Sequence, residues 1–138
     1  MVLSSYSKVN LSLLVNSKQK SGLHNIQSYF CLINLKDEIK IKKIWGKSDK
    51  INFIGPFSKF ISKKNNSIIL VLVLLRKLKL ISSCYSIVVK KNIPVFAGLG
   101  GGTSNAFTVM KYVLRKKLSK KNLNIIKKKI GTDLELFF

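Results

Sequence analysis

The chain is 138 residues long and 46% hydrophobic, and it carries 26 Lys and Arg against 5 Asp and Glu, a formal net charge of +21. This length admits one domain with a real core and is short for two. It excludes a helical membrane span, because the longest apolar run, Ile68 to Leu75, meets Arg76 and Lys77 well before the roughly 20 residues a bilayer requires.

From Lys8 to Val15 the apolar residues Val9, Leu11, Leu13 and Val15 alternate, which predicts a half-buried strand. SYFCLINL (28–35) and EIKIKKI (38–44) are further strand candidates, joined by a short turn near Asp37. KINFIGPF (50–57) is another, closed by Gly55-Pro56. NNSIILVLVLLRKLKL (65–80) is ambiguous by periodicity, but its length and its Asn start favour a buried helix. CYSIVVKKNIP (84–94) reads as a strand running into a glycine-rich loop. Beyond the loop, Ala106, Val109, Met110, Val113, Leu114 and Leu118 fall at helical spacing. A last helix is expected over Ser119 to Ile130, with Ser119 as N-cap and Gly131 as its stop. Strands first, then strand–loop–helix and a further helix, give an α+β domain spanning 1–138.

Cys31 and Cys84 lie far apart without metal-type spacing, so they read as small buried hydrophobes in a reducing compartment. The opening MVLSSYSKVNLSLLV has neither a basic start nor a long apolar stretch, so a secretory signal is not expected and the chain is placed in the cytoplasm. The excess of positive charge raises a nucleic-acid reading. Only Arg76 and Arg115 are arginines, however, and the lysines are spread along the whole chain among Asn and Ile. Base and phosphate recognition favours the bidentate arginine fork, so no specific nucleic-acid partner is expected, and none in a membrane.

KNIPVFAGLGGGTSNAF (91–107) carries the chemistry. Gly98, Gly100, Gly101 and Gly102 crowd into five positions just before a helical pattern. Glycines permit positive φ and let a backbone approach a ligand closely. Ahead of a helix, their N–H groups converge where the macrodipole is positive and form an anion site. Thr103 and Ser104 add hydroxyls suited to phosphate oxygens or a metal. A Walker A loop needs lysine where Gly102 stands, and the dinucleotide fingerprint begun at Gly98 needs glycine where Thr103 stands. Both familiar loops fail.

PVFAGLGGGTSNA instead resembles the phosphate-binding loop of the GHMP kinases. Within that superfamily it is similar to the 4-diphosphocytidyl-2-C-methyl-D-erythritol kinases of non-mevalonate isoprenoid biosynthesis. Two more segments, in order and at compatible spacing, carry the same likeness: SYSKVNLSLLVNSKQKSGLHNIQSYF near the start and GTDLELFF at the end. The resemblance implies the GHMP kinase N-terminal domain, of the ribosomal protein S5 domain 2-like fold. It also implies ATP with Mg²⁺ as cofactors, and a small cytidylylated methylerythritol substrate phosphorylated on its 2-hydroxyl. Homoserine or mevalonate kinase activity, and a basic nucleic-acid-binding or non-catalytic protein that keeps only the fold, stay open as alternatives.

The resemblance assigns roles to individual residues. Asp133 takes the place of the family's catalytic aspartate and Lys8 that of its active-site lysine, able to pair with the aspartate and steady charge on the transferring group. Asn10, on the same strand face as Lys8, matches a substrate-contacting asparagine, and His24 the residue that reads the cytosine edge. Pro94, Val95, Phe96, Ala97, Gly98, Leu99, Gly100, Gly101, Gly102, Thr103 and Ser104 would wrap the ATP phosphates, with Ser104 also a Mg²⁺ ligand candidate. Asn66 and Lys91 match positions near the adenine. No protein metal centre is expected beyond the nucleotide's own ion. The remaining carboxylates include Asp37 and Glu38, expected as solvated turn charges. The pattern departs from the family at Ser21 (usually Asp), Leu23 (usually Tyr), Tyr6-Ser7 (usually Pro-Ala) and Leu134-Glu135 (usually Val-Pro). The chain also stops at about half a typical member's length, so the C-terminal domain is expected to be missing and the chain to be a remnant or split-gene product of doubtful turnover.

Overall fold

Alternation builds the sheet, and two apolar helical stripes cover it. In the computed structural model, which describes residues 1–18, 24–114 and 118–137, four strands form one sheet in the order β1-β2-β4-β3. β1 (Val2–Lys18) pairs antiparallel with β2 (His24–Ile44), and β2 pairs antiparallel with β4 (Cys84–Lys90). β3 (Lys50–Ile54) runs parallel to β4, and the connection between them carries α1 (Ser67–Lys77), as a parallel pair demands. α2 (Gly101–Val113) and α3 (Lys120–Ile130) follow, and a 3-10 segment, Thr132–Phe137, ends the described chain. The expected α+β class holds.

The core lies between one sheet face and the helices. Ile39 and Ile41 of β2 and Tyr85, Ile87 and Val89 of β4 point inward at period two. They meet Ile68, Val71, Leu72 and Leu75 of α1, and Val109, Met110 and Val113 of α2. Each helix starts at a readable signal. Asn66 Oδ1 accepts from the amides of Ile68 and Ile69, and Ser119 Oγ from that of Asn122. α3 stops at Gly131, as its position predicts. Arg76 and Asp49 bolt the far end of the core. The guanidinium donates to both carboxylate oxygens at 2.8 and 2.7 Å, and Asp49 also accepts from the Tyr85 amide at 2.8 Å. The Asp49 hydrogen bond raises the Arg76 pKa against the opposing effect of burial.

Three expectations are corrected. The turn near Asp37 does not exist: β2 is one strand of 21 residues, and Asp37 is fully buried in its middle. A buried carboxylate is tolerated there because the Lys91 ammonium and the amides of Asn92 and Ile93 all donate to it. The alternation from Val9 to Val15 marks a strand but not a buried one. Leu11, Leu13 and Val15 are 70, 53 and 57% exposed, because the β1–β2 hairpin runs on past the helical layer. Cys31 and Cys84 are free and only half-buried.

Candidate active site around the glycine loop

The sequence from Lys91 to Gly102 makes a reversal that few residues other than glycine tolerate. Phe96, Gly98 and Gly100 have φ of 63, 72 and 68°, in the left-handed region. At Gly100 a side chain is disfavoured twice over, by the positive φ and by its neighbours. An added Cβ would sit 3.1 Å from Lys8 Cγ and 3.2 Å from Phe137 Cζ. At Gly101 it would sit 3.0 Å from Ile93 Cγ2 and 3.4 Å from Lys91 Nζ. α2 begins there, so its first amides open toward the loop, at the end where its dipole is positive. The Ser104 amide is the first to bond back, to Gly100 O at 2.9 Å. The loop is tied to β1 by the Lys8 amide, which donates to Leu99 O at 3.0 Å.

A cavity of about 230 Å³ opens on this loop. Phe53, Ile61 and Lys91 form part of its wall, with residues Pro94 to Thr103 around its mouth. The start of α1 also faces it through Asn66 and Ser67, and Ser67 Oγ donates to Gly102 O at 2.6 Å. Two helix N-termini therefore border one cavity. The α1 end is capped by Asn66, but the α2 end has no side-chain cap, so its first amides are the donors suited to a polyphosphate.

On the other side of Gly100, Lys8 and Asn10 of β1 meet Asp133 from the opposite end of the chain. Lys8 Nζ lies 3.3 Å from Asp133 Oδ2 and donates to Asn10 Oδ1 at 3.1 Å. Lys8 is 6% exposed, whereas the Asp133 side chain is 46% exposed, so a confined ammonium holds a carboxylate that still faces solvent. An open carboxylate pinned at the rim of an anion cradle can accept a hydroxyl proton, and the ammonium can steady negative charge beside it. The expected neighbours Lys8, Asn10, Asp133 and the glycine loop are thus brought together.

Other expected residues fare differently. Ser104 is buried and accepts from Ser5 Oγ at 2.8 Å, so its hydroxyl braces α2 against β1 instead of facing a ligand openly. Asn66 has both amide ends engaged, its Nδ2 donating to Ser62 O at 2.9 Å while its oxygen caps α1. Lys91 does line the cavity, but paired with the buried Asp37. His24 opens β2, and its side chain, like residues Ser21 and Leu23, lies outside the described residues. Sequence reasoning missed Asn105. Its side chain borders the same cavity, 3% exposed, and its Oδ1 has no hydrogen-bond partner among the described residues. A buried unpaired acceptor is costly, which makes Asn105 a candidate ligand contact. Its place one turn into the helix after the glycines was the available signal.

Residues 66–135 match the family described as the GHMP kinases N terminal domain. The chain belongs to that family. Its GHMP kinase domain is 45% identical over 135 residues to the 4-diphosphocytidyl-2-C-methyl-D-erythritol kinase of Pelagibacter ubique, covering 96% of this chain and 48% of that one. It is 38% identical to the kinase of the same name from Buchnera aphidicola, covering 95% and 48%. The chain therefore spans about half the length of the curated relatives it matches. Among solved structures, a 4-(cytidine 5'-diphospho)-2C-methyl-D-erythritol kinase superposes with a TM-score of 0.70 at 24% identity, over 99% of this chain and 48% of that one. A mevalonate kinase superposes with a TM-score of 0.62 at 18% identity, over 94% and 47%. At those identities the superpositions speak for the fold. Among the described residues no helix is long and apolar enough to cross a membrane.

Proposed function

We propose that this domain binds ATP in the glycine-loop cavity and serves the transfer of its terminal phosphoryl group to the 2-hydroxyl of 4-diphosphocytidyl-2-C-methyl-D-erythritol. The reading rests on one juxtaposition above all: the 3.3 Å Lys8–Asp133 pair at Gly100, where residues from opposite ends of the sequence flank the start of α2. The names of the relatives supply the acceptor.

In this reading the amides at the start of α2 and the loop backbone hold the β- and γ-phosphates, and the α1 N-terminus closes the far wall. Asp133 accepts the proton of the attacking hydroxyl. Lys8 orients that carboxylate and offsets charge on the phosphoryl oxygens. Asn10, its oxygen held by Lys8, has its amide NH₂ left to donate to the acceptor, and His24 reads the cytosine edge. Mg²⁺, arriving with the nucleotide, supplies neutralising charge. Phosphate oxygens and water would form most of its shell.

The test pairs a fluorescent ATP-analogue titration with a coupled ADP-release assay in the presence of the cytidylylated acceptor, homoserine or mevalonate. Expected are ATP binding, ADP release only with the cytidylylated acceptor, and loss of that release in Asp133→Asn with ATP affinity retained. Failure to bind ATP, or equal turnover by Asp133→Asn, refutes the assignment.

A further inference from the structure

We propose that the outer face of the sheet, with Trp45 at its rim, is a docking surface for an anionic lipid bilayer. The inference does not depend on the ATP reading, because the glycine-loop cavity opens on the helical side of the sheet, beside Phe53 and the starts of α1 and α2.

The lysines are spread along the sequence, but the strand register gathers them. On β2 the inner positions Asp37, Ile39 and Ile41 are buried, so Lys36, Glu38, Lys40 and Lys42 point away from the helices. Lys42 and Lys50 flank Ser86 of β4 in one row across the sheet. Val2, Lys40, Val88 and Asn52 form the next row, and Ser4, Glu38, Lys90 and Ile54 the one after it. Lys36 continues the face beside Tyr6, its ammonium 5.3 Å from the ring centre. Five lysines thus share this face with a single carboxylate, Glu38, which already pairs with Lys90 at 3.5 Å. The other four acidic side chains of the chain are engaged elsewhere, Asp37 with Lys91, Asp49 with Arg76, Asp133 with Lys8 and Glu135 with Lys127. No unpaired acidic side chain remains to neutralise Lys40, Lys42 and Lys50.

Neighbouring strands lie about 4.8 Å apart and alternate residues about 7 Å apart, so these three lysines share a patch about one Debye length across. Anions relieve their mutual repulsion, and a planar array of anions meets all three at once, as a small ion does not. Trp45 follows β2 directly, is 96% exposed, and has the Lys43 ammonium 5.7 Å from its ring centre. A solvated tryptophan beside lysines matches the boundary between headgroups and acyl chains, where the amphipathic ring is favoured and the ammonium meets lipid phosphate. Between its lysines the face carries the aliphatic Val2, Val88 and Ile54, and it holds no arginine. Point charges interleaved with aliphatic side chains suit a bilayer, whereas a polynucleotide is better served by arginine forks and aromatic platforms.

Trp45 is the chain's one tryptophan, so its emission reports this rim alone. The experiment mixes the chain with vesicles of phosphatidylcholine, alone or with an equal part of phosphatidylglycerol, and follows Trp45 emission and co-sedimentation. With the anionic vesicles we expect sedimentation and a blue shift, both reduced by salt, and neither with phosphatidylcholine alone. Lys40→Gln/Lys42→Gln/Lys50→Gln should lower the partition coefficient about tenfold or more. Lys120→Gln/Lys121→Gln/Lys128→Gln, which removes the same charge from exposed positions of α3, should change it far less. All six lysines are exposed, so both variants should keep the parent's fold, read by circular dichroism. Equal losses in the two variants would show that net charge alone drives binding, and would overturn the proposal. Sedimentation without a blue shift, or no sedimentation at all, overturns it too. Binding of polyuridylate instead of vesicles, with the same dependence on Lys40, Lys42 and Lys50, would assign the face to nucleic acid and overturn the bilayer reading.

Discussion

Gly100→Ala is the sharpest probe of why the loop is bare. The residue sits at φ 68° and ψ 12° as the N-cap of α2, so any side chain incurs the left-handed penalty of about 1–2 kcal/mol. The new methyl would also stand 3.1 Å from Lys8 Cγ and 3.2 Å from Phe137 Cζ, closer than ordinary contact. Neither neighbour is free to swing away, because Lys8 is anchored to Asp133 and Asn10 and Phe137 packs against Phe107 with ring centroids 6.3 Å apart. Crowding of that kind adds about 1–3 kcal/mol. The expected total is about 2–5 kcal/mol, a large part of the 5–15 kcal/mol typical of a domain. Gly98→Ala is the internal control. Gly98 has nearly the same φ, 72°, but nothing lies within 4 Å of the added atom, so only the conformational part, about 1–2 kcal/mol, is expected. Urea denaturation of the two variants and the parent measures both. Equal losses at 98 and 100 would show that the loop does not press on Lys8 and Phe137, and the geometry drawn here for the cradle would be wrong.

Other consequences concern stability away from the chemistry. Asp49→Ala leaves the Arg76 guanidinium and the Tyr85 amide without their shared acceptor and should cost about 3 kcal/mol in urea denaturation. Because the Arg76 pKa is raised, its part of that stability is fully present below the ordinary arginine value and is lost only as pH rises through the raised one. Stability of the parent should therefore show no loss from Arg76 across neutral pH, and a neutral-range titration that Arg76→Met abolishes would contradict this. Asn66→Ala removes an N-cap that accepts two amides and should cost about 1 kcal/mol, read as a shift in the denaturation midpoint. Ser104→Ala strands the buried Ser5 hydroxyl and should cost about 1–3 kcal/mol, whereas Ser5→Ala/Ser104→Ala should cost less than the sum of the single changes. Additive losses in that double-mutant cycle would mean that the two hydroxyls do not interact.

What the sequence made legible was local. Asn66 and Ser119 stand at caps, Gly131 stops a helix, and Tyr85, Ile87 and Val89 alternate into the core, each because the governing physics acts over a few residues. The glycines before an apolar helical pattern likewise predicted where α2 begins, since positive φ and close approach are properties of the residue itself. Asp37 shows where such reasoning ends. Its neighbours Lys36 and Glu38 are charged, so by local reading it belongs to a solvated turn. The partners that make its burial tolerable lie more than fifty residues away at 91–93, beyond any periodicity. Leu11, Leu13 and Val15 fail in the opposite sense. Alternation says which residues share a face of a strand, but only the reach of α2 along β1 decides how far that face is covered. Lys8 and Asp133 combine both lessons. Neither residue type nor spacing distinguishes Lys8 from the other lysines, and its role became visible through resemblance to a family. What gives that role physical content is a contact made across the whole length of the chain, over a glycine that leaves room for it.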